Sequence, residues 1–450
     1  MYTLSPKVAY RKYGENVYVR NVETRKDFSF NEIVADILDI VSKEVSEKEL
    51  LDTLREMYQV GEVPSFESDI RSFLALLVEN QIIVKTEAGN ETKTASPPGG
   101  IKEQFDKYCE TVHQLSGICF ELTYRCNEKC VHCYVDDPSE TGKEMTLEQY
   151  KKVIDELCEM GCLNVLVTGG EPTLHPDFLP ICEYITQKKM LLDIYTNGLH
   201  WTEELIDRIC NLSVNSVSVS LYGGDAETHD AMTRVKGSFE KTLRTMLIFK
   251  SRGVDTYAKA SITKQNFPGF EKLLKFGKQI GIPITPSFVL VPTHSGQIKN
   301  PLMLDNDAYR EALAILEKFA DGDVVSSNAL KFGLRDMNDS VCSAGRTGLT
   351  INPYGEITPC NTLPLSLGNI YKNSLCHVWE NSPELKRLSA FQFGDLDPKC
   401  ANCKYSGACV VCLGAAYSEN QGQFKPCVYT CGMAQARYEL SETLLELGGQ

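Results

Sequence analysis

Apolar and polar positions change rhythm twice along the chain. In the first 85 residues, KVAYRKY, NVYVRNV and DFSF alternate or carry β-branched and aromatic residues, with GEN as a turn between the first two. This predicts three strands. NEIVADILDIVS then places Ile33, Val34, Ile37, Ile40 and Val41 at helical spacing, with Asn31 as the expected N-cap. Helical stretches around Leu50–Tyr58 and Ile70–Leu77, and a strand-like QIIVKT, complete a small α+β, winged-helix-like unit over 1–85. EAGNETKTASPPGGI is polar and rich in Gly and Pro, which predicts a linker within 86–110.

From 117 the rhythm becomes strand, helix, strand. GICFELT, NVLVTGG, LLDIYTN, SVSVSLYG, YAKASIT and ITPSFVLV are the strand candidates. The clearest helix runs over 147–160, with Thr146 and Gln149 in capping-box spacing and Gly161 as its stop. Six such units predict parallel strands with helices outside, as an open doubly wound sheet or a partial (β/α)6 barrel. In either arrangement chemistry gathers at the C-terminal strand ends. A cysteine loop, GGEP, TNG and SLYGG fall there. The core is expected over 111–300, a bridging region over 301–340, a cysteine-rich unit over 341–431 and a helical tail over 432–450.

Composition narrows the function. A net charge of −14 argues against a nucleic-acid partner. The N-terminus has no apolar signal core, and no apolar run reaches the ~20 residues that span a bilayer. A cytoplasmic protein without a membrane partner is expected. Its 18 cysteines are uneven: none precedes Cys109, and nine lie from Cys342 to Cys431. Cytosolic thiols are kept reduced, so clustered ones point to metal, whereas Cys158, Cys162, Cys182 and Cys210 read as small buried hydrophobes.

RCNEKCVHCY carries Cys126, Cys130 and Cys133, three thiols without a fourth. This suggests a metal centre with one open position. The spacing, with His132 as the ring before the last cysteine, resembles the C-x3-C-x-aromatic-C signature of the radical S-adenosylmethionine (SAM) enzymes. The resemblance implies a [4Fe–4S] cluster whose free iron is chelated by SAM, and a 5′-deoxyadenosyl radical made by reductive cleavage. It also implies SAM contacts in order: Gly169, Gly170 and Glu171 of TGGEP at the methionyl amino group, Ser220 at the ribose, and Arg234 at the methionyl carboxylate.

Near the C-terminus the spacing is Cys342-x12-Gly355-x4-Cys360, then Cys400-x2-Cys403-x5-Cys409-x2-Cys412-x14-Cys427. It is similar to the SPASM extension, which carries two auxiliary [4Fe–4S] clusters; zinc is the other use of such pairs. The resemblance implies one cluster on Cys400, Cys403, Cys409 and Cys427, with Cys431 the other candidate for the last ligand. Cys342, Cys360 and Cys412 would hold the second, leaving an iron open. The usual x3 before the sixth cysteine is x2 here. Residues 1–85 are similar to PqqD-like recognition elements, which capture a leader peptide by strand addition. Together these resemblances imply three clusters, SAM, a precursor peptide and a one-electron donor such as flavodoxin or ferredoxin. The expected activity is thioether crosslinking from cysteine sulfur to carbon in a ribosomal peptide. Carbon–carbon crosslinking, epimerisation and a non-catalytic iron–sulfur carrier are the alternatives.

Overall fold

The computed structural model describes residues 1–60, 63, 65–86, 100–135, 142–294, 300–319 and 334–448. Most of the expected linker, and part of the bridging region, lie outside the described residues.

The N-terminal unit opens with β1 (Tyr2–Leu4), followed by an antiparallel sheet of β2 (Val8–Tyr13), β3 (Asn16–Asn21) and β4 (Lys26–Asn31) in that order. Helices α1 (Ile33–Val41), α2 (Glu47–Met57) and α3 (Phe66–Glu79) follow, and β5 (Ile83–Lys85) returns to pair with β1. Asn31 is not the cap of α1. It ends β4 opposite Asn16, and strand pairing holds it extended while Glu32 leads into the helix without a side-chain cap. The buried face of α1 includes Ala35 and Leu38, and Ile33 is exposed. Helix α2 starts earlier than expected because Ser46 and Glu49 form a reciprocal capping box.

This unit is docked on the rest of the chain. Helix α4 (Ile101–Val112) sends Ile101, Phe105 and Cys109 into a shared core with Ala9, Tyr13 and Tyr18 of the sheet and Leu163 and Leu191 beyond it. Arg11 is buried at the junction. Its guanidinium donates to the carbonyls of Cys162 (2.8 Å), Lys188 (2.9 Å) and Lys189 (3.3 Å). A hydrogen bond from a charged donor is worth about 1.5–3 kcal/mol, and those carbonyls lose their partner if it goes. Arg11→Ala is therefore expected to cost about 3 kcal/mol and to speed hydrogen exchange in β2 and α4. Arg11→Lys should restore only part, since a point ammonium cannot reach all three carbonyls.

The central sheet contains β6 (Gly117–Glu121), β7 (Asn164–Thr168), β8 (Leu191–Thr196), β9 (Val214–Ser220), β10 (Thr256–Ser261) and β11 (Ile284–Ser287), all parallel. Between them run α5 (Leu147–Glu159), α6 (Phe178–Gln187), α7 (Glu203–Cys210), α8 (Ala226–Thr233), α9 (Ser238–Ser251) and α10 (Phe270–Ile280). Gln149 accepts from the Thr146 amide at 2.7 Å, as the capping-box spacing required, and Gly161 turns the chain after α5 at φ +78°. Val165, Val167, Ile194, Val217, Val219, Ala258 and Ala260 pack outward into the helix layer. The alternate positions face inward. One inward row runs in register through Cys119, Leu166, Asp193 and Ser216.

The sheet is longer than the sequence pattern indicated. After α11 (Asn306–Glu317), β12 (Gly348–Ile351) adds parallel to β6, and β13 (Glu356–Thr358) and β14 (Gly368–Asn369) continue it antiparallel. The partial barrel and the cysteine-rich unit are thus one nine-stranded sheet. Helices α12 (Leu375–Asn381), α13 (Pro383–Ser389) and α14 (Leu413–Glu419) follow. The tail is α15 (Val428–Gly448), which starts before residue 432 and packs on α11. Among the described residues, no helix is long and apolar enough to cross a membrane.

Candidate functional site

The loop that leaves β6 carries Cys126, Cys130 and Cys133, all half-buried. It is fastened to the end of α8, because the amides of Lys129 and Val131 donate to the carbonyls of Thr233 and Met232 at 3.0 Å each. The Glu128 amide donates to Cys126 Sγ at 3.4 Å, and the Cys130 thiol donates to Glu128 Oε2 at 3.2 Å. Burial pushes the Cys126 thiol up to about 12 and Cys130 well above its ordinary value. Neighbouring acids and the sibling thiols add to the effect. Thiols so buried become thiolates only against a strong local positive charge, which bound iron would supply. Among the described residues, no group of three or more His, Cys, Asp or Glu is arranged to hold a single metal ion. The donor set fits three corners of a cluster.

Gly169 and Gly170 are needed for close approach. A Cβ on Gly169, at φ +139°, would stand 2.3 Å from the Thr123 carbonyl, and one on Gly170 would stand 2.5 Å from that of Arg125. The Gly170 amide donates to Thr123 and the Glu171 amide to Arg125, at 2.7 and 2.9 Å. The segment therefore braces the strand that feeds the cysteine loop. Glu171 is tied into the strand end beside it. Its carboxylate is fully buried and accepts from Thr173 Oγ1 (2.7 Å), Thr196 Oγ1 (2.7 Å) and the Asn197 amide (2.8 Å). Those donors reach both oxygens, so Glu171 positions Asn197. Asn197 Nδ2 in turn donates to Asn127 Oδ1 (2.6 Å) and approaches Cys126 Sγ (3.7 Å).

Ser220 lies at the C-terminal end of β9, half-buried beside Tyr222. His132 packs edge-on against the Tyr222 ring at 4.6 Å. Arg234 terminates α8 in the left-handed region (φ +58°), directly after the residues that hold the cysteine loop. Its guanidinium is exposed, with no ion pair among the described residues. Asp230 secures the turn that follows Arg234, accepting from the amides of Gly237 (2.6 Å) and Phe239 (3.0 Å) and from Ser238 Oγ (2.9 Å).

His229, beside Asp230, is fully buried; it accepts from the Tyr222 amide at 3.2 Å and stacks on that ring. Burial pushes its imidazole down to about 4. Between pH 6.5 and 4 the unfolded chain thus binds a proton that the folded chain refuses, and stability falls as pH falls. The stabilisation is complete above pH 6.5, and about 3 kcal/mol of it is lost by pH 4. The thermal midpoint should drop from pH 7 to pH 5 in the native chain, and less steeply in His229→Gln.

The site also contains Glu121, Tyr134 and Lys259, which sequence reading did not single out. Glu121, at the end of β6, is buried and accepts from Tyr134 Oη (2.6 Å) and Tyr124 Oη (3.0 Å). Asn361 Nδ2 donates to the same Tyr134 oxygen at 3.2 Å. Tyr134 follows Cys133 and Asn361 follows Cys360, so one hydrogen-bonded bridge links the loop after β6 to the cysteine-rich unit. Lys259 Nζ stands 3.9 Å from the Tyr195 ring centroid, adding a cation among the inward-facing residues. For Tyr134, adjacency to Cys133 was the one available signal.

The C-terminal thiols form two groups. Cys342, Cys360 and Cys412 line a cavity of about 430 Å³ beside β6 and β12. Cys400, Cys403 and Cys409 line another of about 340 Å³, and their fourth companion is Cys431. Cys427, the expected ligand, is buried and turned towards Tyr429 and Glu419. The reason is the helix start: α15 begins at Val428, leaving Cys427 before it and setting Cys431 in its first turn.

Comparison with known proteins agrees with this geometry. Residues 120–276 match the family model described as the radical SAM superfamily, and residues 342–404 match the SPASM iron–sulfur cluster-binding domain. An AdoMet-dependent heme synthase of Methanosarcina barkeri is 26% identical over 340 residues, covering 70% of this chain and 97% of that protein. The subtilosin biosynthesis protein AlbA of Bacillus subtilis is 28% identical over 312 residues, covering 67% of this chain and 68% of that one. SuiB of Streptococcus suis, solved with its precursor peptide SuiA, superposes with a TM-score of 0.61 at 16% identity, covering 96% of this chain and all of that one. The protein carries a radical SAM domain and a SPASM domain, and it is an enzyme whose cofactors are [4Fe–4S] clusters and SAM. The reading as a non-catalytic carrier is overturned by the enzymes among its relatives.

Proposed function

We propose that the enzyme matures a ribosomally made precursor peptide, forming thioether crosslinks from cysteine sulfur to carbon. The observation that carries this reading is the docked N-terminal unit. Its strand β4 is an end strand of the three-stranded sheet, the position at which a leader peptide would add as a further strand. SuiB, whose solved forms include one bound to its precursor, matches the chain with that unit included.

Bound cluster and SAM supply a carbon radical able to take hydrogen from an inert C–H bond. The chain's own residues orient and enclose. Arg234 offers a two-pronged donor suited to the methionyl carboxylate. Ser220 offers a hydroxyl for the ribose, and His132 an edge against Tyr222. Asn197, positioned by Glu171, fixes the loop beside Cys126. Inside the barrel, burial pushes Glu121 up to about 7, so its carboxyl can hold or release a proton near neutrality. A one-electron donor such as flavodoxin or ferredoxin completes the system.

Hydrogen exchange tests the leader reading. A cysteine-containing peptide encoded beside the gene should slow the β4 amides, Lys26–Asn31; unchanged β4 exchange with a peptide that the enzyme nevertheless modifies would refute strand addition. The product separates the alternatives. A thioether removes two hydrogens and one alkylatable thiol, a carbon–carbon bond removes the hydrogens alone, and epimerisation leaves the mass unchanged.

A further inference from the structure

Cys342, Cys360 and Cys412 leave a four-iron cluster one protein ligand short. The cavity they line is bounded on its barrel side by Cys119, in the middle of β6. Strand register explains the meeting. Cys119 pairs with Thr350 on β12, and Thr350 pairs with Thr358 on β13. Directly opposed side chains stand on one face of a sheet, so the three form a row. Cys360 lies two residues beyond Thr358 and returns to that face. The Thr350 side chain is hydrogen-bonded to Cys119, and the Cys119 and Cys360 thiols lie within electrostatic reach.

The cavity's other acid is already engaged. Asp193 accepts from Asn215 Nδ2 at 2.9 Å and from Ser216 Oγ at 2.5 Å. Gly414 holds the opposite wall close, since a Cβ there would stand 2.1 Å from the Thr362 carbonyl. We propose that Cys119 is the fourth protein ligand of the auxiliary cluster held by Cys342, Cys360 and Cys412. On binding, its S–H proton passes to solvent and the sulfur takes the remaining iron as a thiolate, with no change in oxidation state. This deepens the proposed function, on which it partly rests: a substrate thiolate would have to displace Cys119 rather than meet a vacant iron.

The test needs neither peptide nor turnover, so its failure is separate from a failure of the maturase reading. Protein lacking the loop cysteines (Cys126→Ala, Cys130→Ala, Cys133→Ala) is reconstituted anaerobically, reduced with dithionite and examined by electron paramagnetic resonance with and without cyanide. The expected signals do not move when cyanide is added. Adding Cys119→Ala should produce a signal that cyanide shifts, or lower the iron from about eight to about four per chain. Cys119→Ser should keep the iron with an altered signal, which separates ligation from misfolding. Signals in the Cys119 parent that already shift with cyanide, or a Cys119→Ala spectrum identical to the parent, would overturn the assignment.

Discussion

Cys130→Ala is expected to abolish 5′-deoxyadenosine formation to the detection limit while iron falls only from about twelve to about eight per chain. The two readouts separate because the three thiol groups are held by different parts of the fold. Cys126, Cys130 and Cys133 sit on one loop after β6, whereas the other two groups line cavities away from that loop, one beside the middle of β6 and β12 and the start of α14, the other beside the start of α15. Removing Cys130 leaves a two-thiol loop, too few to keep a cluster that already lacks a fourth protein ligand. Glu128 cannot substitute in place: it is the residue to which the Cys130 thiol donates, and burial already pushes its carboxyl up to about 7. Cys182→Ala is the matched control, since that thiol is buried in the helix layer. It should cost about 1 kcal/mol of stability and leave iron unchanged.

Gly170→Ala is expected to have nearly as large an effect without touching a ligand. The added methyl would stand 2.5 Å from the Arg125 carbonyl oxygen and 2.6 Å from that of Tyr124, both backbone atoms that no rotamer change can move. To admit it, the segment must give up the 2.7 Å and 2.9 Å bonds from Gly170 and Glu171 to the strand leading into Cys126. Overpacking of this kind costs about 3 kcal/mol, and the displaced Glu171 releases Asn197 from the cysteine loop. The thermal midpoint should fall, and the loop cluster should be lost more readily than the auxiliary ones. Gly253→Ala makes the contrast. Gly253 has φ +80° but nothing within 4 Å of the new methyl, so it should cost only about 1–2 kcal/mol of backbone strain and spare the cluster.

The sequence carried the barrel because its six strands repeat a local rhythm, and local rhythm survives in a one-dimensional string. It did not carry the join of β12 to β6, since pairing Gly348 with Gly117 depends on contact between segments far apart in the chain. Spacing identified the cysteine loop but not the direction of the Glu171 carboxylate, which is set by Thr196 at the end of β8 and Asn197 just beyond it. The placing of Cys431, and not Cys427, beside Cys400, Cys403 and Cys409 likewise depends on one fact that spacing lacks, the residue at which α15 begins. Arg11 reads as one more surface cation in KVAYRKY; only the docked sheet shows the three carbonyls it meets. Cys119 stands out from its strand only when register puts it in a row with Thr350 and Thr358.

The most direct measurement mixes anaerobically reconstituted enzyme, SAM, dithionite and the cysteine-containing peptide encoded beside the gene. 5′-Deoxyadenosine and peptide mass are read from the same tube. The account predicts that 5′-deoxyadenosine appears and that the peptide loses two hydrogens per crosslink, with one fewer alkylatable thiol for each. Cleavage of SAM by fully loaded enzyme that leaves that peptide unchanged in mass and in thiol count would contradict it.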